Sequence, residues 1–167
     1  MHDAVDRVLE QWAQERPDID VTPMAVIGRL ARAEALLERR IASALGEHDL
    51  RPGEFDLLAA LRRSGAPHRL TVGAMLASTM VTSGAITHRL DRLVAKGLVT
   101  RELDPGNRRS VIVTLTARGL DVVDAALVSH VDNERELLSS LGDDERRQLA
   151  ELLRTLLLGL GDVAPPR

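Results

Sequence analysis

The sequence has no cysteine and no tyrosine, and its 167 residues include only one tryptophan and one phenylalanine. Without cysteine there is no disulfide framework, thiolate zinc site, iron–sulfur cluster or cysteine nucleophile. The apolar residues, 44% of the chain, are mostly Leu, Val, Ala and Ile. This composition predicts one soluble, mainly α-helical domain that carries no metal or other cofactor.

Long apolar runs are also missing. No stretch approaches the roughly 20 consecutive apolar residues of a membrane span. The amino terminus opens with His2, Asp3 and Asp6 instead of the basic and then apolar pattern of an export signal. We therefore expect a cytoplasmic protein with no membrane partner.

The motifs of common catalytic sites are absent as well. The five histidines show no HExxH or other close metal-ligand spacing, and the chain has no GxSxG nucleophile elbow and no GxGxxG or GxxxxGKS/T loop. The Ser, His and Asp residues are plentiful but form no informative arrangement. We therefore expect that the protein is not an enzyme.

Positive charge is concentrated in the middle of the chain. Residues 69–118 hold eight basic and three acidic residues, a net charge of +5, so the remainder carries −8 of the total of −3. A basic middle between acidic ends suits a chain whose middle meets a polyanion while its ends pair with a second chain. A solvated charged face is the alternative.

Apolar periodicity and capping residues predict seven helices and one hairpin. The first six helices cover about residues 3–16, 22–48, 52–64, 72–78, 83–96 and 116–138, and residues 141–143 separate the sixth from a last helix that carries the leucines from Leu149 to Leu160. Thr22 is expected to cap the second helix and Pro23 to open it. Thr82 or Ser83 is expected to cap the fifth helix, and Gly97 to follow its last turn.

The fourth and fifth helices, about three residues apart, predict a helix-turn-helix. Residues 98–103 and 110–115 alternate in polarity, and the turn chemistry of residues 104–107 joins them into a hairpin. A helix-turn-helix followed by a hairpin, set between long helices, is the order of a winged-helix protein. The predicted fold class is thus mainly α, an α+β winged helix-turn-helix.

Candidate DNA contacts lie on the fifth helix and at the hairpin tip. The predicted buried stripe of that helix is Ile86, Leu90, Leu93 and Val94. Small polar residues on the other side allow close approach to base edges, and arginine bonds guanine or phosphate, or enters a minor groove. The candidate contacts are Ser83, Thr87, His88, Arg92, Arg108 and Arg109. An ordinary amphipathic helix followed by a solvated turn is the alternative.

Over nearly its whole length the sequence resembles the MarR family of winged-helix transcription regulators. The resemblance is carried by residues 82–93, by Lys96-Gly97-Leu98-Val99, by the wing at 104–109, and by residues 113–116 with Gly119. One departure is Asn107, where the family usually has Asp. The resemblance implies a homodimer that binds a pseudo-palindromic operator in double-stranded DNA. Residues 1–48 and 116–167 would then mainly dimerise, and residues 52–115 would form the DNA-binding lobe.

Residues 9–18, 23–24 and 27–30 resemble a urate-responsive subgroup of the family. That resemblance implies an effector site formed by Trp12, Asp56, Arg89 and Arg101. Urate is a flat anion, which suits an indole face, guanidinium forks and a carboxylate that accepts ring N–H groups. The expected function is a repressor released from its operator by urate or a similar small anion.

Each of the four residues also has a structural interpretation. Trp12 extends the apolar stripe of the first helix, which favours a core or dimer-interface position. Asp56 and Arg101 are the candidates for a buried ion pair, and Arg89 for a phosphate contact. If the four residues are structural, the effector would be a phenolic compound or an antibiotic.

Overall fold

The computed structural model describes residues 2–79 and 83–163, apart from the side chains of residues 83–85 and 108. Its helices are α1 (Ala4–Glu15), α2 (Thr22–Gly46), α3 (Pro52–Arg63), α4 (Val72–Ser78), α5 (Ser83–Ala95), α6 (Ala117–Leu137) and α7 (Asp143–Gly159). Its strands are β1 (Arg69–Thr71), β2 (Val99–Asp104) and β3 (Asn107–Leu115). The chain forms two compact units, residues 1–130 and residues 131–167. All the strands and α1–α5 belong to the first unit.

Short polar residues determine where the first helices begin. The carboxylate of Asp3 caps α1 and accepts hydrogen bonds from the N–H groups of Val5 and Asp6 at 2.7 and 3.0 Å. The predicted Thr22 cap of α2 is wrong, because Thr22 is already helical and Val21 is the N-cap. The carboxylate of Asp20 accepts the Thr22 N–H at 3.0 Å and does the capping instead. The alternative cap of α5 at Thr82 lies outside the described residues.

The three strands form one antiparallel sheet in the order β1-β3-β2. The hairpin of β2 and β3 matches the prediction, with Val99 opposite Leu115 and Arg101 opposite Val113. Residues 69–71, which have little length for independent structure, gain strand geometry by pairing with Ile112–Thr114 of β3. The sheet extends the hairpin, hereafter the wing, back toward the helices.

The core of the first unit is built mainly from leucines of α3, α5 and the strands. The largest fully buried apolar side chains are Leu45, Leu57, Leu58, Leu61, Met75, Leu90, Leu93, Val113 and Val123. Ile86, Leu90 and Leu93 are buried as predicted. The predicted burial of Val94 is wrong: it is 38% exposed, because it lies at the edge of the stripe, about 80° from Ile86 at 100° per residue.

The terminal helices expose much apolar surface. Helix α7 of the second unit buries no residue. Its exposed leucines are Leu149, Leu152, Leu157 and Leu158, with Leu160 directly after the helix. In the first unit, α1 and α2 expose Val8, Trp12, Met24, Val26, Ile27, Leu36 and Leu37. Within the described residues, no helix is long and apolar enough to cross a membrane.

Candidate nucleic-acid interface

The connection between helix α5 and the wing is short and hydrogen bonded. Gly97, at φ +68°, follows the helix in the left-handed conformation. The N–H of Leu98 donates to the carbonyl of Leu93 at 3.0 Å and that of Gly97 to Val94 at 2.9 Å, the two bonds of a Schellman motif. Because β2 starts at Val99, the orientation of α5 also determines where the wing starts.

A groove between α4, α5 and the wing brings together two predicted DNA contacts. Its volume is about 580 Å³. The lining residues are Val72, Gly73, Thr87, Leu90, Arg101, Asn107, Arg109, Ser110 and Val111. Thr87 comes from the helix and Arg109 from the wing, and both are exposed, as is His88 on the next position of α5. One face of the first unit therefore presents polar and cationic groups from both elements.

The wing tip is ordered by side chains that bond to its backbone. The Asp104 carboxylate accepts the N–H of Gly106 at 2.8 Å, and the Asn107 side-chain oxygen accepts the N–H of Arg109 at 3.2 Å. Asn107 thus holds the strand that carries Arg109, as a neutral acceptor at a position where Asp is usual. The side chains of Ser83 and Arg108 lie outside the described residues, so their DNA contacts stay predictions.

Arg101 lies on the inner face of the wing. It is directly opposite the fully buried Val113, and opposed residues of an antiparallel pair point to the same side. From there its Nη2 donates to Asp91 Oδ1 of α5 at 2.7 Å. The predicted alternative of an Asp56–Arg101 ion pair is wrong, because the strand carries Arg101 to Asp91.

Arg89 lies on the other side of α5, where it contacts α3. Its guanidinium covers Gly53 so closely that a Cβ atom there would overlap it. Among the described residues, Arg89 takes part in no ion pair. A partly buried guanidinium that forms no ion pair with a carboxylate of the described residues is an available site for an anion.

Asp56 lies one turn beyond Gly53 on α3, within the electrostatic reach of Arg89. Burial raises the pKa of its carboxyl, and the charge of Arg89, followed by those of His130 and Arg63, offsets only part of the rise. Part of the residue is nevertheless accessible to solvent. A perturbed carboxyl beside an unpaired guanidinium is a candidate binding site.

The four predicted effector residues occupy three places in the first unit. Asp56 and Arg89 lie together at the α3 side of α5, and Arg101 pairs with Asp91 at the wing side. Trp12 is 43% exposed near the end of α1, and among the described residues no hydrogen bond of its side chain links it to the other three. Helix α1 itself packs on α2, where Val5 meets Gly28.

Sequence reasoning missed a buried carboxylate, Glu54 of α3, which binds two cations of α5. Glu54 has no exposed surface and accepts bonds from Arg92 Nε at 2.5 Å and Lys96 Nζ at 3.0 Å. One guanidinium nitrogen of Arg92 is therefore committed to α3, and a DNA contact by its remaining N–H groups stays a prediction. The available signal was the four-residue spacing of Arg92 and Lys96, which places two cations on one face of α5.

Residues 48–110 match the family model described as MarR family. The HTH-type transcriptional regulator PecS from Dickeya dadantii is 39% identical over 149 residues, which cover 89% of this chain and 90% of PecS. The chain belongs to the MarR family. MarR family proteins are transcription regulators that bind DNA, which confirms the predicted class and the expectation that this chain is not an enzyme.

Solved MarR family structures share the fold. A MarR mutant from E. coli complexed with operator DNA aligns at a TM-score of 0.71 with 28% identity, covering 82% of this chain and 95% of that one. A MarR family regulator from Streptomyces coelicolor, also in complex with DNA, aligns at 0.75 with 25% identity, covering 85% and 89%. The predicted winged-helix fold is therefore confirmed.

Proposed function

We propose that the protein is a homodimeric repressor that leaves its operator when it binds urate or a similar small anion. The observation that carries the effector assignment is the Arg89 guanidinium, which has no ion-pair partner among the described residues and lies against Gly53 beside Asp56. It belongs to α5, the helix proposed to enter the major groove. A ligand bound there acts directly on the DNA-reading element.

The exposed apolar faces of the terminal helices support the homodimer. Val26, Ile27, Leu152 and Leu160 are each more than half exposed in the single chain. Large exposed apolar side chains on the helices of each unit are typical of an interface. A two-fold dimer would present two copies of α5 about 34 Å apart, which matches two half-sites separated by one turn of a pseudo-palindromic operator.

The chemistry of the site suits a planar anion. The Arg89 fork can bind carbonyl and anionic edges, while Asp56 accepts ring N–H groups. Arg101 would join only by leaving Asp91, and Trp12 only by a movement of α1 or through the dimer. Ligand binding would therefore pull on both sides of α5. By linkage, ligand and operator weaken each other by the same factor, typically about 1–3 kcal/mol.

A mobility shift on the DNA upstream of the protein's own gene, with and without urate, tests the proposal. Urate should release the wild-type protein and leave Arg89→Gln bound, since only the guanidinium is lost. The matched control is Arg118→Gln, which removes an exposed arginine at the start of α6, outside the DNA-binding lobe, and should still respond. Release by salicylate but not by urate would favour a phenolic effector and overturn the urate assignment.

A further inference from the structure

We infer that Glu54 is a positioning residue for DNA reading: through Arg92 and Lys96 it fixes the rotation of α5 against α3, and with it the operator specificity. The inference goes beyond the effector proposal and does not depend on urate. It rests only on α5 being the helix that enters the major groove. Glu54 itself is fully buried and is no DNA contact.

The geometry is a two-point attachment to one carboxylate. Oε1 of Glu54 accepts Arg92 Nε at 2.5 Å, and Oε2 accepts Lys96 Nζ at 3.0 Å. Oε2 also accepts the backbone N–H of Arg51 at 3.1 Å, which ties the carboxylate to the start of its own helix. Both oxygens are thus used, and the two cations are one helical turn apart on α5.

The carboxylate is charged at neutral pH despite its burial. Burial alone would raise the pKa of Glu54, but the bond from Arg92, followed by those from the Arg51 N–H and Lys96, holds it below the usual range. Charge-assisted bonds of this kind are both stronger and more directional than neutral ones. The attachment is therefore present throughout the physiological range.

The apolar contacts of α5 with the core do not fix its orientation in this way, and its other ion pair, Asp91 with Arg101, is partly exposed. Ile86, Leu90 and Leu93 are buried in the core, and apolar contact depends on area far more than on orientation. An apolar stripe alone tolerates a small rotation of the helix. Two cations that are hydrogen bonded to one buried carboxylate resist such a rotation, because it would lengthen both bonds together. Side chains that read base edges need such an orientation.

Glu54→Gln tests the inference, with Glu47→Gln as the matched control. Both substitutions remove one negative charge, but Glu47 is exposed on the surface. Fluorescence anisotropy at one fixed salt concentration would measure Kd for operator DNA and for an unrelated duplex, and thermal melting would measure Tm. Glu54→Gln should lower the ratio of operator to non-specific affinity about tenfold and Glu47→Gln should leave it unchanged. An unchanged ratio in a folded Glu54→Gln protein would overturn the inference.

A double-mutant cycle with Arg92→Gln separates positioning from direct contact. If Arg92 acts through Glu54, its substitution lowers the operator ratio in the wild-type background and adds almost nothing to Glu54→Gln. An equal loss in both backgrounds would show that Arg92 reads DNA itself, and the positioning role would be wrong.

If Glu54→Gln does not fold, Lys96→Gln takes its place, since the lysine is 24% exposed and its substitution leaves Glu54 paired with Arg92. Lys96→Gln should lower the ratio about threefold, and an unchanged ratio there would equally overturn the inference.

Discussion

Helix α5 contributes charges of opposite sign to the ion pairs on its two sides. Toward α3 the helix supplies the cations, with Arg92 and Lys96 bound to the buried Glu54. Toward the wing the helix supplies the carboxylate, and Asp91 accepts the bond from Arg101. The first side is anchored to the core, whereas the Asp91–Arg101 pair is partly exposed. One side of the helix therefore sets its position, and the other is free to meet a partner.

This difference changes what the charge of the segment means. The net +5 of residues 69–118 includes Arg92 and Lys96, which both bind the buried Glu54 outside that segment, and Lys96 also lies 3.5 Å from a carboxylate oxygen of Asp49. The pair of Arg101 and Asp91 lies within the segment and adds nothing to its net charge. Cations available to phosphates lie instead at the wing, where Arg109 is exposed. The segment as a whole is basic, but the positive charge that can bind phosphates is concentrated at the wing.

The largest effect is expected from Arg109→Ala. Operator affinity should fall by about 1–3 kcal/mol, and the magnitude of the slope of log K against log salt should fall by about 0.9, because one phosphate or groove contact is lost. Arg92→Ala should lower the slope less than Arg109→Ala, since Arg92 is bound through its Nε to the buried Glu54 whereas Arg109 is exposed. Equal losses of slope in the two variants, measured by salt titration of binding, would contradict the distinction between the two sides.

Gly53→Ala should uncouple effector from operator. The new Cβ displaces the Arg89 guanidinium, which is the flexible end of its side chain, so the fold should tolerate the change. The variant should lose most of the coupling between effector and operator, so that the effector no longer weakens operator binding by the typical factor of about 5–150. Gly46→Ala is the control, because a Cβ there meets nothing within 4 Å. A normal urate response of Gly53→Ala in the mobility shift would remove Arg89 from the site.

The sequence signals that succeeded are local ones. The Gly97 helix end, the turn at 104–107 and the apolar stripe through Leu90 and Leu93 depend on neighbours within a few residues, and the structure contains all of them. The burial and pairing of Glu54 could not be predicted from the sequence, because its partners are 38 and 42 residues away. The prediction of Asp56 as the partner of Arg101 failed for a different reason: Asp91 is only ten residues from Arg101, but the pair forms because β2 returns beside α5, which periodicity does not show.

A smaller effect is expected from Asp91→Asn. It removes the partner of Arg101 and should cost at most about 1 kcal/mol of stability, because the pair is partly exposed. The freed guanidinium lies beside the groove that holds Thr87 and Arg109, so the magnitude of the salt slope should rise by about 0.9. The same salt titration checks this, and Asp121→Asn on α6 is a control with an equal change in charge. A slope that follows the control would place Arg101 away from the phosphates.

The smallest effect, and one of opposite sign, is expected from Asp56→Asn. The pKa of Asp56 is raised in the folded chain, so the folded state favours the protonated form, and stability is lost as the pH rises through that pKa. At neutral pH the ionised carboxyl is therefore a small cost, which the neutral amide removes. Melting at pH 7 should show a rise in Tm of no more than about 2 °C, since solvent screens an accessible carboxyl. The rise should disappear well below pH 3.8, the ordinary pKa, where the carboxyl is protonated in the folded and the unfolded chain alike.

A residue that lowers stability is usually kept because function needs it, so the same variant should lose its urate response. A lower Tm at neutral pH would instead make Asp56 a structural partner of Arg89.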